Sequence, residues 1–489
     1  MNDIDPARLT ARVPVELSIG GKWRPASTGR TFDVVNPADE TVLCRVADAD
    51  AADATAALDA AVDAAGPWAA RPARQRSDIL RACYDALLAR REEVARLITV
   101  EMGKPLAESR AEVDYGAGFL RWFAEAATRI HLSGGYGAEP GGQYRIVTTK
   151  RPVGPSLLIT PWNFPLAMGT RKIGAALAAG CTAVIKPAEQ TPLTTLLLAE
   201  ILRETGLPDG VLNVVTTTDP AGVVQSLTAD ERLRKISFTG STAVGKQLLG
   251  QAAHGVLRSS LELGGNAPLL VFDDADLDQA VAGATVAKMR NGGESCVAAN
   301  RIYVQSGVVE EFTARLTERL AAVRTGPGWE AGTDLGPLID RQQRDKVAAL
   351  VDDAVSQGAE LLLGGETPDG PGFFYPPTVL RDVPRSARLR AEEIFGPVAA
   401  VSAFDSEQDA VATANDTPYG LASYLFTRDL SRALRVAEDL DSGITGVNRG
   451  VISNPAAPFG GIKASGLGRE GGTEGLEEYL ETKYIAVQL

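Results

Sequence analysis

The sequence predicts an α/β protein in which a parallel sheet with helices on its faces is built twice along the chain. The first observation is a change of rhythm after residue 153. Strands are expected at 156–160, 182–186, 212–217 and 235–239, with helix-like segments between and after them at 166–179, 192–205, 220–228 and 242–254. Strand, helix, strand at this spacing is the pattern of a parallel sheet, and ligands sit at the carboxyl ends of such strands. The second observation is a further α/β pattern from about 267 to 440, joined to the first near Leu263-Gly264-Gly265-Asn266. At 489 residues the chain is long enough for two or three domains.

Taken in order, residues 16–21 and 31–37 read as short strands and turns, and 50–66 as an Ala-rich helix. Between 74 and 101, apolar residues recur at helical spacing (Ile79, Leu80, Cys83, Leu87, Val94, Leu97, Ile98), which predicts an amphipathic helix or a pair of them. A Gly-rich break at 133–142 precedes an alternating stretch at 144–149. The chain closes on an apolar, β-type segment within 478–489. An unpaired terminal strand invites association, so something must cover it, and a partner subunit is one candidate.

Composition excludes several classes. The formal net charge is -13, which disfavours nucleic acid and anionic membrane surfaces as partners. The first six residues hold neither a basic nor an apolar run, so no signal peptide is expected. Apolar stretches such as 173–185 are too short to span a bilayer, and a cytoplasmic location is expected. Cys44, Cys83, Cys181 and Cys296 lie far apart with no Cys-x-x-Cys, and His131 and His254 are the only histidines. No metal site, disulfide framework or Ser-His-Asp machinery is therefore expected.

Several short segments have residue types suited to chemistry. Cys296 follows Asn291-Gly-Gly-Glu-Ser295, small and polar neighbours that suggest an exposed turn or a helix start. A helix N-terminus would lower the thiol pKa, although a lone Cys is as often an inert buried residue. Glu262 stands in an apolar strand before Gly264-Gly265; burial would raise its pKa and suit it to general-base work, unless it is a satisfied structural carboxylate. Asn163, in Thr160-Pro-Trp-Asn-Phe-Pro165, falls at the end of the first strand, where its amide could donate to an oxyanion or simply form a turn. Phe238-Thr-Gly-Ser241 leads from a strand into a helix and could present N–H groups to a pyrophosphate. Lys186 and Glu189 end the second strand, where dinucleotide folds meet the adenosine ribose.

These segments occur in one order together with Glu393-Ile-Phe-Gly-Pro397 and Pro458-Phe-Gly-Gly-Ile-Lys-Ala-Ser-Gly-Leu-Gly-Arg-Glu470. Their conjunction, spanning roughly residues 16–487, resembles the aldehyde dehydrogenase superfamily, and within it the succinate-semialdehyde dehydrogenases. The resemblance implies a Rossmann-like cofactor domain (1–130 and 153–263), an α/β catalytic domain (264–465) and a small β oligomerisation extension (131–152 and 472–489) that builds homodimers or homotetramers. It implies that Cys296 is the nucleophile, that Asn163 and the Cys296 N–H hold the oxyanion, and that Glu262 activates the hydrolytic water. Trp162, Lys186, Glu189, Gly240, Ser241, Glu393 and Phe395 are then cofactor-binding residues, while His131 and His254 are structural. An acylating enzyme that hands its thioester to coenzyme A needs no such base, so Glu262 counts against that rival; retention of Cys296, Glu262 and Asn163 together counts against a silent scaffold.

The resemblance also bears on specificity. Arg171 and Arg290 match the arginines that hold the distal carboxylate of a semialdehyde, a task suited to guanidinium. The bland alternative is two solvated arginines and a neutral aldehyde. Asn454 stands where those enzymes tend to have a serine, with Ser453 beside it, so glutarate semialdehyde is the alternative substrate. Ala298 stands where some relatives carry a second cysteine, so no local disulfide switch is expected. Glu189 favours NAD as cofactor by repelling a 2′-phosphate, with NADP as the alternative because Lys186 is nearby.

Overall fold

The computed structural model of the protein describes residues 6–130 and 135–488; His131 lies outside them. The first sheet has eight strands, of which five run parallel in the order Leu212–Val214, Ala183–Lys186, Ser156–Ile159, Lys235–Thr239, Arg258–Glu262. The strand that comes first in the chain thus lies in the middle. The strand order reverses between Ser156–Ile159 and Lys235–Thr239, which is where a doubly wound sheet opens a crevice. A hairpin, Leu17–Ile19 with Lys22–Arg24, closes one edge, and Gly466–Leu467 lies antiparallel on the other.

The Ala-rich helix runs to Ala70, past the expected 66; the expected elements between 156 and 254 lie within a residue or two of their observed limits, apart from one strand. It stops at Val214 because Thr216 and Thr217 turn their hydroxyls to the carbonyls of Ala47 and Ala49, at 2.7 and 2.8 Å. Helix Ala167–Ala179 is buried along its whole length. Its Ala and Gly residues let neighbours approach: a Cβ at Gly174 would sit 3.0 Å from the Phe123 ring on helix Leu106–Ala127. The latter helix fills a stretch for which the sequence suggested no element. The amphipathic region resolves into a pair, Ala73–Ala89 and Arg91–Met102.

The second sheet has seven strands in the order Glu360–Leu363, Thr378–Arg381, Val398–Phe404, Ala299–Gln305, Ala267–Val271, Ala422–Phe426, Ile444–Val447. All neighbours are parallel except the first pair. The two sheets divide the chain between Glu262 and Ala267, and the α/β pattern runs on to Val447, past the expected 440.

A third sheet joins the terminal strand to the segment that follows the Gly-rich break. The terminal strand Leu480–Val487 is covered by its own chain, antiparallel to Arg145–Pro152 from Leu480↔Pro152 to Val487↔Arg145. Tyr136–Ala138, inside the Gly-rich break, forms its third strand. Tyr484 and Ile485 remain exposed on it. Among the described residues no helix is long and apolar enough to cross a membrane.

Candidate active site

A cleft of about 220 Å³ opens at the strand-order reversal. Trp162 and Asn163 line it from the end of one strand, Gly240 and Ser241 from the end of the next, and Cys296, Glu393 and Phe395 from the second half of the chain. Ser241 caps helix Thr242–Gly255, accepting from the N–H of Val244.

Cys296 occupies a tight turn between a one-turn helix, Arg290–Gly293, and strand Ala299–Gln305. Two contacts hold that turn. Tyr424 donates its hydroxyl to the Val297 carbonyl at 2.8 Å, and the absence of a side chain at Gly265 admits the backbone, since a Cβ there would lie 2.3 Å from the Cys296 carbonyl oxygen. The expected helix start is therefore absent. The thiol is not lowered either: burial pushes it up to about 12, with Glu393 and Glu262 adding to the effect and Arg171 opposing it. At rest the group is a thiol and needs a base to react.

Glu262 ends strand Arg258–Glu262 just behind the cleft wall, 3% exposed, and its Oε2 has no hydrogen-bond partner among the described residues. Burial raises its pKa well above the carboxylate range, and the charge of Glu470 adds to this. Glu470 is held the other way. Although burial opposes it, Lys172 and then Arg171 keep its carboxyl below the usual value. Lys172 bonds Glu470 and also donates to the Ser237 hydroxyl at 3.0 Å; the Arg171 Nε lies 3.1 Å from the other Glu470 oxygen. Two carboxyls in one buried cluster are thus pushed in opposite directions, the arrangement that separates a base from a fixed charge. Sequence reading did not single out Lys172 or Glu470. The signal was two adjacent cations, Arg171-Lys172, inside a helix otherwise made of small and apolar residues.

Asn163 is clamped through its main chain. Its carbonyl accepts from Lys104 Nζ at 2.8 Å and from Asn291 Nδ2 at 3.0 Å, and Lys104 is buried against Glu112. Its side chain donates one N–H to the Glu294 carbonyl at 2.9 Å, which leaves the second N–H uncommitted. Lys104, Asn291 and Glu294 were also unforeseen, because a residue that acts through another's backbone leaves no motif of its own.

The far end of the cleft suits a dinucleotide. Glu393 accepts from the Gly265 N–H at 3.0 Å, and burial pushes its pKa up to about 7 against that bond and Lys346. Phe395 has a φ of 57°, uncommon for a bulky residue, and meets Trp162 edge-on at 5.3 Å. Lys186 and Glu189 stand outside this lining, paired with each other at 3.0 Å, the Glu189 side chain 39% exposed. Main-chain N–H groups before a helix, a half-buried carboxylate and an aromatic edge fit a pyrophosphate, a ribose and a nicotinamide respectively.

Arg171 also lines the cleft, and it is not solvated: it is 2% exposed, with its guanidinium 4.3 Å from the Phe459 ring centre and 5.4 Å from that of Phe119. Its Nη1 has no hydrogen-bond partner among the described residues. Arg290 lines the same wall, 5.3 Å from the centre of the Phe164 ring, as does Ser453. Asn454 does not. It is exposed, and its side chain accepts from the Ala456 N–H at 2.9 Å, stabilising its own turn. His254 is exposed in the last turn of helix Thr242–Gly255.

Cys44, Cys83, Cys181 and Cys296 are all free thiols, and residue 298 is a buried Ala. Oxidised protein is accordingly expected to carry no intrachain disulfide at Cys296; its oxidation should proceed to sulfenic acid or a mixed disulfide. Peptide mapping after peroxide treatment checks this, and a Cys296 crosslink to another cysteine of the chain would refute it.

Comparison with known proteins agrees with this architecture. The succinate-semialdehyde dehydrogenase of Paenarthrobacter nicotinovorans is 55% identical over 446 residues, covering 91% of this chain and 99% of that protein. The glutarate-semialdehyde dehydrogenase of Pseudomonas putida is 49% identical over 472 residues, covering 96% and 97%. A crystal structure described as an E. coli NADP-dependent enzyme superposes with a TM-score of 0.97 at 47% identity, covering all of both chains. The model of the aldehyde dehydrogenase family matches residues 23–485. The chain belongs to the aldehyde dehydrogenase family and is an NAD(P)-dependent oxidoreductase.

Proposed function

We propose that the protein oxidises succinate semialdehyde to succinate, with NAD as the preferred cofactor, through a thioester on Cys296. The observation that carries the substrate assignment is the buried Arg171 guanidinium, which offers an unpartnered Nη1 in the same cleft as the nucleophile. A buried donor without a partner is costly, and a carboxylate is the group that satisfies it best. Arg290 supplies a second cation from another segment.

Cys296 Sγ attacks the aldehyde carbon, forming the C–S bond, and its proton passes to a solvent water in the cleft. The uncommitted Asn163 N–H and the Cys296 main-chain N–H stabilise the oxyanion. The nicotinamide, when bound, takes up the hydride that leaves the adduct. The thioester remaining on Cys296 is cut by water: Glu262 accepts a water proton, the hydroxyl adds to the carbonyl, and the C–S bond breaks. The negative charge held at Glu470 favours this step because it keeps Glu262 a stronger base.

Kinetics on succinate semialdehyde, glutarate semialdehyde and butanal test the assignment; a preference for butanal would refute it. Glutarate semialdehyde is a second reading with its own support. Ser453 alone of the Ser453-Asn454 pair reaches the cleft wall, so the expected side chain beyond Ser453 does not set chain length.

For the cofactor, the Glu189 carboxylate accepts from a ribose 2′-OH and repels a 2′-phosphate, and Lys186 is already engaged with it. The kcat/KM for NAD is expected to exceed that for NADP by about tenfold, or roughly 1.4 kcal/mol. A higher value for NADP would show that Lys186 leaves Glu189 for the phosphate. We further assign residues 1–130 and 153–263 to cofactor binding and 264–465 to catalysis. Residues 131–152 and 472–489, with Tyr484 and Ile485 exposed, are assigned to the contact between subunits of a homodimer or homotetramer.

A further inference from the structure

A second cavity, of about 460 Å³, lies at the amino ends of the second sheet, away from the residues that line the active-site cleft. Three arginines wall it: Arg301 from strand Ala299–Gln305, and Arg385 and Arg390 from the loop that leads to Glu393. In a chain of net charge -13, three converging guanidinium groups are unusual. None of the three forms an ion pair with a described residue, whereas most arginines around them do. Asp416, on the exposed rim, is the acidic residue in the lining.

The floor of this cavity is built rather than incidental. Tyr303 is 2% exposed, and its ring lies between two of the cations, with the Arg390 and Arg301 guanidinium carbons 5.2 and 5.9 Å from its centre. Its hydroxyl is buried and meets no acceptor among the described residues. A buried hydroxyl proton without an acceptor is a cost that a native structure rarely carries without purpose. Arg301 is fixed by its own bonds to the carbonyls of Asn266 and Ala414, at 2.9 and 2.8 Å, and the Arg390 carbonyl accepts from Asn266 Nδ2 at 2.9 Å. Arg301 is therefore held by backbone carbonyls, Arg390 reaches the Ser402 hydroxyl at 3.4 Å, and Arg385 stands exposed at the mouth, none of them with a counter-ion among the described residues. Thr413 and Thr417 add hydroxyls to the wall.

We propose that this cavity is a binding site for a small dianion bearing several oxygens, a phosphate or a short dicarboxylate, held by Arg385 and Arg390 with the Tyr303 hydroxyl as a further donor. Planar guanidinium forks match such oxygens in pairs. The site is separate from the cleft and does not depend on which aldehyde is oxidised there.

Calorimetric titration of inorganic phosphate and of succinate into the full-length protein, saturated with NAD to occupy the cleft's pyrophosphate region, tests the proposal. At least one is expected to bind with a Kd of about 1 mM. Arg385→Ala and Arg390→Ala should each weaken that binding by about tenfold or more, since each removes a charge-assisted pair. Arg290→Ala, in the cleft, should leave phosphate binding unchanged and remove only the succinate that binds there as product. Binding that weakens in Arg385→Ala, whether of phosphate alone or of succinate alone, supports the site and identifies its source. If Arg390→Ala does not fold, Arg385→Ala, whose side chain is exposed, gives the same reading. No binding to the wild type at about 50 mM ligand, or no ligand whose binding weakens in Arg385→Ala, would overturn the proposal.

Discussion

Replacing Glu262 by Gln lowers steady-state turnover by about 10²–10⁴, the usual worth of a positioned general base. The substitution keeps the shape of a buried side chain and removes its basicity. Its pH behaviour supplies a second reading. Burial and then the charge of Glu470 raise the Glu262 pKa, and the group acts as a base only in its carboxylate form. As pH rises through that raised value the carboxylate forms, and turnover climbs with it. Glu262→Gln should lack this ascending limb. Cofactor reduction in the first turnover should persist, because the step that fails comes after hydride leaves. Undiminished steady-state activity in the variant would remove Glu262 from the mechanism.

The second large effect is expected at Arg171. Arg171→Ala should lower kcat/KM for succinate semialdehyde by about 10² or more, because it deletes charge-assisted donors to a desolvated carboxylate. The raw loss is not the best measure. Arg171 also faces Glu470, Glu262 and Cys296, so its removal disturbs the chemistry of every aldehyde. The ratio of kcat/KM for succinate semialdehyde to that for butanal cancels this shared part. That ratio should fall by about tenfold or more in Arg171→Ala and also in Arg290→Ala. Arg171→Lys should not restore it, since an ammonium lacks the planar fork and would leave the space between Phe119 and Phe459 poorly filled. An unchanged ratio in both Ala variants would show that neither arginine reads the substrate's carboxylate.

The parallel sheet of the first half was legible because buried strands such as Ala183–Lys186 are short apolar runs separated by helical spacing, and local pattern suffices to see them. Leu480–Val487 was visible as a strand from local pattern, but only the family resemblance grouped it with 131–152: pairing with Arg145–Pro152 joins segments more than 300 residues apart in the chain, and nothing local encodes that. The same limit applies at the site. Cys296, Asn163 and Glu262 stood out as unusual residues in place, and the fold brings them to one cleft region. The neighbours of Cys296 suggested an exposed turn or a helix start; the structure has the turn, half-buried, held by the Gly265 backbone and Tyr424, both distant in sequence. Asn454 was read correctly as a loop residue, but it lies outside the cleft lining, with its side-chain carbonyl accepting from the Ala456 N–H. Lys172 and Glu470 became meaningful only once folding placed them together beside Glu262.

The central claim is that an acyl group passes through Cys296 and leaves by Glu262-dependent hydrolysis. Intact-protein mass spectrometry of Glu262→Gln, mixed with succinate semialdehyde and NAD and quenched in acid, tests it most directly. The account predicts a stable adduct with the mass of a succinyl group, mapped to Cys296 and removed by hydroxylamine, and no such adduct in wild type at the same time point. A variant that turns over normally without an adduct, or an adduct mapped to a cysteine other than Cys296, would contradict it.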